Sequence, residues 1–379
     1  MVDNPFFLTA NIPSQYFCDR IEETDNLITL LTNRNNVVLF SPRRMGKTGL
    51  ICHCFEDARI KDDYHTIFID ILQTSSLKEF IFLLGNEIIR VLSSKGEKMV
   101  MGFIRALKSL TGKFYIDPLS GMPSFNINLG DITAPQRTLE EIFEYLEKSD
   151  KRCIVAIDEF QQITEYKEKN VEAILRTYIQ HTSNCNFIFS GSRQHILTEM
   201  FYASARPFYQ SAAFINLEVI PCPIYVDFIV RNFKEKKKKI SERIAKLIYN
   251  KFDGHTFYVQ RTCNVAFFYT KDEDECGEET VDSAIDYIVN SYEMLYRSLL
   301  SSLTERQKEL LYAIAREGKV SEICSMEFIR KYSLPSASSV QSNARVLLDK
   351  DIITRSETRY SVYDRFFALW LRRMLTGTR

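Results

Sequence analysis

The run Ser41-Pro42-Arg43-Arg44-Met45-Gly46-Lys47-Thr48 sets a glycine, a lysine and a hydroxyl in the order needed to grip a phosphate chain. Such a loop wraps consecutive backbone N–H groups around one phosphate, its lysine bridges the β- and γ-phosphate oxygens, and its hydroxyl ligates Mg2+. Lys47 and Thr48 take those two roles, and Ser41 to Gly49 is the nucleotide-binding stretch. Gly46 suits its place because a side chain there would obstruct the approach of backbone to phosphate. The pattern G-x-x-x-x-G-K-[ST] has glycine where this chain has Ser41, so a serine must tolerate the first turn of the loop.

A second constellation supplies the acids. Cys153-Ile154-Val155-Ala156-Ile157-Asp158-Glu159 is an apolar strand ending in two carboxylates. Asp158 is placed to hold Mg2+, mostly through its water shell, since magnesium takes few protein ligands. Glu159 is placed to polarise the water that attacks in an in-line phosphoryl transfer. Keeping two adjacent carboxylates charged at the end of a buried strand is costly without a cation nearby. A further strand ends in Ser190-Gly191-Ser192-Arg193, whose polar residues are placed to reach the γ-phosphate or orient the water, the Arg193 guanidinium first because it suits charge on the transferred group. Arg206, in Ser204-Ala205-Arg206-Pro207, is a second candidate, acting in cis or as a finger into a neighbouring subunit. The chemistry these residues spell is hydrolysis of a phosphoanhydride.

The elements that must position them follow from periodicity. β-rich apolar runs at Val37 to Phe40, Thr66 to Ile71, Cys153 to Ile157, Asn186 to Phe189 and Phe214 to Leu217 alternate with amphipathic helical stretches. That is the pattern of an α/β three-layer core with a five-stranded parallel sheet, and with the phosphate loop it makes the P-loop NTPase fold the expectation. Residues 1–220 form this core. An insertion around 112–131 carries Asp117-Pro118-Leu119-Ser120-Gly121 between β-prone flanks, predicting a hairpin. Helical periodicity over 221–302 predicts an all-helical lid, with the basic run Lys236 to Lys239 and the acid-rich stretch Lys271 to Asp286 as solvated surfaces. Residues 303–379 spell three helices and a short wing, a winged helix-turn-helix.

Bulk composition narrows the partners. The 49 basic and 49 acidic residues cancel, so no global field draws the chain to nucleic acid or an anionic membrane. Met1 to Asn11 lacks a basic region followed by an apolar core, and no stretch nears the roughly 20 apolar residues that span a bilayer. A cytoplasmic protein with no membrane partner is expected. Nine cysteines without a C-x-x-C pair read as reduced, mostly buried thiols.

Taken together, these residues resemble the AAA+ ATPases, and more narrowly the prokaryotic STAND-type branch related to origin-recognition initiators, the MNS-like archaeal and bacterial ATPases. The likeness includes Asn4-Pro5-Phe6, the box Tyr16-Phe17-Cys18-Asp19-Arg20 and the phosphate loop. It continues through Asp158-Glu159-Phe160-Gln161, Ser190-Gly191-Ser192-Arg193 and the closing Tyr363-Asp364-Arg365-Phe366-Phe367-Ala368-Leu369-Trp370-Leu371. The resemblance implies ATP and ADP as the nucleotides, with Phe17 to Arg20 against the adenine. It also implies that Gly254-His255-Thr256-Phe257-Tyr258-Val259-Gln260 is the lid motif, where Thr256 replaces the proline of a Gly-x-Pro turn and His255 or Tyr258 reaches the nucleotide.

The C-terminal module admits two uses. Residues 330–379 hold ten basic and four acidic side chains, favouring DNA, with the helix from Ser336 to Leu348 in the major groove. That helix offers only Arg345, Gln341, Asn343 and serines for reading bases or phosphates, which favours an intramolecular regulatory role instead. The leading expectation is an ATPase switch, slow in turnover, acting on a protein partner or on further copies of itself. The alternative is an initiator-like DNA-binding ATPase.

Overall fold

The computed structural model describes residues 4–110, 115–116, 123–124, 126–356 and 358–377. They divide into two units: Thr9–Ile220, and the described residues of Met1–Leu8 with Pro221–Arg379.

In the first unit the strands are β1 (Val37–Phe40), β2 (Tyr64–Asp70), β3 (Tyr115–Ile116), β4 (Pro123–Ser124), β5 (Arg152–Asp158), β6 (Cys185–Gly191) and β7 (Ala213–Asn216). Five of them form one parallel sheet in the order β2-β5-β6-β1-β7. Its central strands β5, β6 and β1 are buried almost end to end, which is why each reads as an unbroken apolar run. Alternate residues serve opposite faces. Val37, Leu39, Ile154 and Ala156 pack under the helices α1 (Ile21–Thr32) and α2 (Lys47–Glu56). Val38, Val155, Ile157, Phe187 and Phe189 pack under the helices Leu77–Ser93, Pro135–Glu147 and Val171–His181.

Strand ends matter more than strand starts here. β5 runs one residue past the expected apolar run, so Asp158 is its last residue. β2 ends at Asp70, whose register partner is Asp158. β3 and β4 pair antiparallel, Tyr115 with Ser124 and Ile116 with Pro123; the turn expected at 117–121 lies outside the described residues.

The second unit opens on Phe6, whose ring packs against Phe228, Phe233 and Phe267. Asn4 Nδ2 donates to Asn264 O and Asn264 Nδ2 returns to Phe6 O, both at 2.8 Å, so the first described residues belong with the helices that follow Pro221. Those helices are Cys222–Glu235, Glu242–Lys251, Thr256–Tyr269, Glu278–Ser291 and Glu293–Ser301. The stretch is not wholly helical, because β8 (Lys239–Ile240) and β9 (Glu275–Cys276) pair in parallel. The basic run is not wholly solvated either. Lys238 is buried, its Nζ donates to Phe267 O at 2.9 Å and Thr270 O at 2.5 Å, and it lies 4.3 Å from the centre of the Phe267 ring.

The chain closes with a winged helix. Thr304 and Gln307 form a reciprocal cap on the helix Glu305–Glu317. The helices Met326–Lys331 and Ala337–Asp349 follow, then the antiparallel wing β10 (Ile353–Ser356) and β11 (Arg359–Val362). The last helix, Arg365–Thr376, buries Phe366, Phe367, Trp370 and Leu371.

Candidate functional site

β1 runs into the phosphate loop and the loop into α2. Two loop residues have left-handed backbone, Arg44 at φ 65° and Gly46 at φ 98°. Ser41 has no positive φ, so the position where the pattern has glycine asks nothing that serine cannot adopt. Ser41 is fully buried and its hydroxyl donates to Pro42 O at 3.0 Å, while Met45 anchors the loop in the interior. A Cβ on Gly46 would meet nothing within 4 Å, so glycine serves the backbone conformation and an uncovered loop rather than internal packing.

Lys47 is 6% exposed and its Nζ donates to Ser41 O at 3.1 Å and Pro42 O at 3.5 Å. Burial pulls its ammonium below the ordinary lysine value; the carboxylates of Asp158 and Glu159 oppose that shift and the Arg43 guanidinium adds to it. One residue on, the Thr48 hydroxyl donates to Asp158 Oδ2 at 2.9 Å, and the Glu159 N–H donates to Asp158 Oδ1 at 3.0 Å. Loop lysine, helix hydroxyl and strand-end carboxylate are thus brought together. Among the described residues no cluster of three or more His, Cys, Asp or Glu could hold a metal ion. Thr48 Oγ1 and Asp158 Oδ2 are instead hard oxygen donors of the small number that Mg2+ takes from protein when phosphate oxygens and waters fill its other positions.

Glu159 turns out of β5 with φ 56° and begins the short helix Phe160–Glu165. Its Oε2 accepts from Ser192 Oγ at 2.9 Å and from Gln161 Nε2, and Ser192 Oγ accepts from Arg43 Nε at 3.1 Å. The residue from the end of β6 that touches Glu159 is therefore Ser192. Arg193, expected at the transferred phosphate, points to Glu165, 3.5 Å away. Arg206 is held between Glu172 and Glu199.

The N-terminal box flanks α2. A Cβ on Gly49 would stand 3.7 Å from the Phe17 ring and 3.9 Å from Ala10 O, so the segment before α1 crosses the helix at this glycine. The Phe17 ring stacks on His53 with centres 4.1 Å apart. Arg20 is buried, with its guanidinium 2.5 Å from both Glu23 Oε1 and Glu218 O. In the stretch 254–260, expected to be the lid motif, Gly254 has φ 69° and Tyr258 is buried between Phe252 and Phe366 in the second unit.

Sequence reasoning offered Ser192 only as one of the polar residues ending β6, behind Arg193, and missed Gln161 and Asp70 as neighbours of the site. Partial burial, then the charges of Asp158 and Glu159, push the Asp70 carboxyl up, against the pull of the Leu72 N–H bonded to it at 2.9 Å. The signal for Asp70 lay in its being the polar residue that ends an apolar strand, as Asp158 is.

Comparison with known proteins follows the geometry. A family model described as an ATPase domain predominantly from Archaea matches residues 17–261, and one described as a probable winged helix domain matches residues 294–373. A curated protein of Methanocaldococcus jannaschii, named as an uncharacterized ATP-binding protein, is 30% identical over 167 residues, 41% of this chain and 46% of that protein. The match thus spans less than half the length of that relative. The Walker-type ATPase PABY2304 of Pyrococcus abyssi shares the fold at TM-score 0.64 and 18% identity, covering 97% of this chain and 99% of its own. The Aeropyrum pernix ORC2 protein, solved as ADPNP-ADP complexes, does so at TM-score 0.62 and 13% identity, covering 99% and 96%.

Proposed function

The chain belongs to the family of ATPase domains predominantly from Archaea, and from that premise we propose that it is a Mg2+-dependent ATPase working as a nucleotide-controlled switch. ATP binding and hydrolysis follow from the family; the metal, the switch and the residue roles are our reading. The observation that carries it is the convergence of buried Lys47, the Thr48–Asp158 pair and Glu159 on one end of the sheet.

In this reading the loop N–H groups and Lys47 bind the β- and γ-phosphates of ATP, with the Phe17 to Arg20 box beside the base. Thr48 and Asp158 hold Mg2+, which when bound neutralises charge on the phosphate oxygens. Glu159 has Oε2 engaged by Ser192 and Gln161, which leaves Oε1 to accept the proton of the attacking water. Arg193 and Arg206 sit in ion pairs with Glu165, Glu172 and Glu199, so neither of these two guanidinium groups is presented to the transferred phosphate, which favours slow turnover. The phosphate loop lies in one unit and the lid and winged helix in the other, which supports nucleotide state acting on their position and on partner or self-association.

The test is Glu159→Gln. Phosphate release should fall about 10²–10⁴-fold with ATP affinity retained, whereas Lys47→Ala should abolish that affinity. Full turnover in Glu159→Gln would sink the reading. A DNA-binding use of the winged helix has one observation of its own: a groove of about 420 Å3 between the helix Ala337–Asp349 and β11, lined by Gln341, Ser342, Arg345 and Tyr360, with Arg355 over the Tyr360 ring. A salt-dependent gel shift lost on charge reversal at Arg345 and Arg355 would establish it.

A further inference from the structure

We infer that Gln161 is a positioning residue for the ATPase reaction, holding the Glu159 carboxylate so that a single oxygen is presented to the attacking water. The inference rests on the role proposed for Glu159. Gln161 is 3% exposed and its Nε2 donates to Glu159 Oε2, the same oxygen that accepts from Ser192. Two donors converging on one oxygen fix the rotation of the carboxylate about its last bond. They leave the other oxygen with a set direction, and proton abstraction depends on that direction.

The amide orientation is forced, because an acceptor carboxylate requires the NH2 side of the amide. Its Oε1 consequently points away from Glu159 and has no hydrogen-bond partner among the described residues, although it is buried. The surroundings are shaped to this amide. A Cβ on Gly191, the last residue of β6, would overlap Gln161 Oε1 and stand 2.7 Å from Leu197 Cδ1. The backbone is fixed from the other side by Phe160, fully buried with ring centres 4.5 Å from Phe189 and 5.3 Å from Phe208.

The experiment uses the full chain and the variants Gln161→Leu and Gly191→Ala, each measured for kcat, KM, ATP affinity and melting temperature. Gln161→Leu removes the donor and the orphaned carbonyl together. It should lower kcat by about tenfold or more with KM and ATP affinity unchanged and the melting temperature unchanged or raised. Gly191→Ala, which displaces the amide, should show the same split of kcat from KM. In the Glu159→Gln background, Gln161→Leu should change the residual rate by less than about twofold, since no carboxylate is left to orient. A kcat for Gln161→Leu within about twofold of wild type, or an equal loss in both backgrounds, overturns the inference. Should Glu159→Gln itself turn over normally, the proposed function falls and this role with it. An inactive Glu159→Gln beside a fully active Gln161→Leu overturns the role of Gln161 alone.

Discussion

Replacing Gly46 by alanine separates what the phosphate loop does for the fold from what it does for the ligand. At φ 98° the residue lies beyond the region that L-residues enter readily, and the added methyl would touch nothing within 4 Å. The penalty in the protein alone is therefore conformational, about 1–2 kcal/mol. The unit that carries the loop, Thr9–Ile220, falls in the size range where 1 kcal/mol shifts a melting temperature by about 2–4 °C, so the variant should melt about 2–8 °C lower. Ligand changes the comparison. ATP at about 100 times its Kd stabilises the wild type by about 2.7 kcal/mol, a rise of about 5–11 °C. In Gly46→Ala the methyl stands where backbone must close on phosphate, so that rise should vanish. The assay is thermal melting of both proteins with and without Mg·ATP. An undiminished ATP-induced rise in Gly46→Ala would refute the assignment of residues 41–49 as the phosphate cradle.

Two further outcomes follow from single groups. The Asp70 carboxyl is raised, so the fold favours its neutral form; that contribution is full below the ordinary aspartate value and is lost as pH rises through the raised one. Asp70→Asn should therefore melt higher than wild type at pH 7 without nucleotide or Mg2+, with the difference shrinking toward zero as pH falls through about 4; a pH-independent difference contradicts this. Lys238→Met would leave Phe267 O and Thr270 O without their buried donor and remove a cation from the Phe267 ring, a loss of about 2–4 kcal/mol in the second unit, read by denaturant unfolding.

The sheet was legible because its central strands are buried on both faces. A run such as Cys153 to Ile157 carries no polar residue that could confuse strand with helix, and the polar residue that ends it is where the strand stops. The phosphate loop was legible for a related reason: its chemistry needs Gly46, Lys47 and Thr48 in fixed order, so function is written as local spacing. Residues that act through register are not. Asp70 is 88 positions from Asp158, and only the pairing of β2 with β5 sets the two side by side. Arg193 and Ser192 are adjacent in sequence and both polar. Which of them faces Glu159 is decided by how the chain leaves β6, with Arg193 next to the helix Gln194–Tyr202 and turned to Glu165. Lys238 is charged in a charged run, and nothing local marks it as the member that caps buried carbonyls.

The site's precision rests on an apolar cluster that no spacing rule reveals. Glu159 holds a left-handed backbone at φ 56°, a conformation costing a non-glycine residue about 1–2 kcal/mol. It persists because the next residue, Phe160, is locked among Phe189, Phe201 and Phe208, which come from β6 and from the two stretches after it. Burial of that ring, about 1.5–3 kcal/mol, offsets the strain one residue away. The same ring packing ties β6, and with it Ser192, to the end of β5, where Glu159 turns out of the strand. Loosening the cluster would thus free Glu159 and Ser192 together, while Lys47 kept its own supports in Ser41 and Pro42.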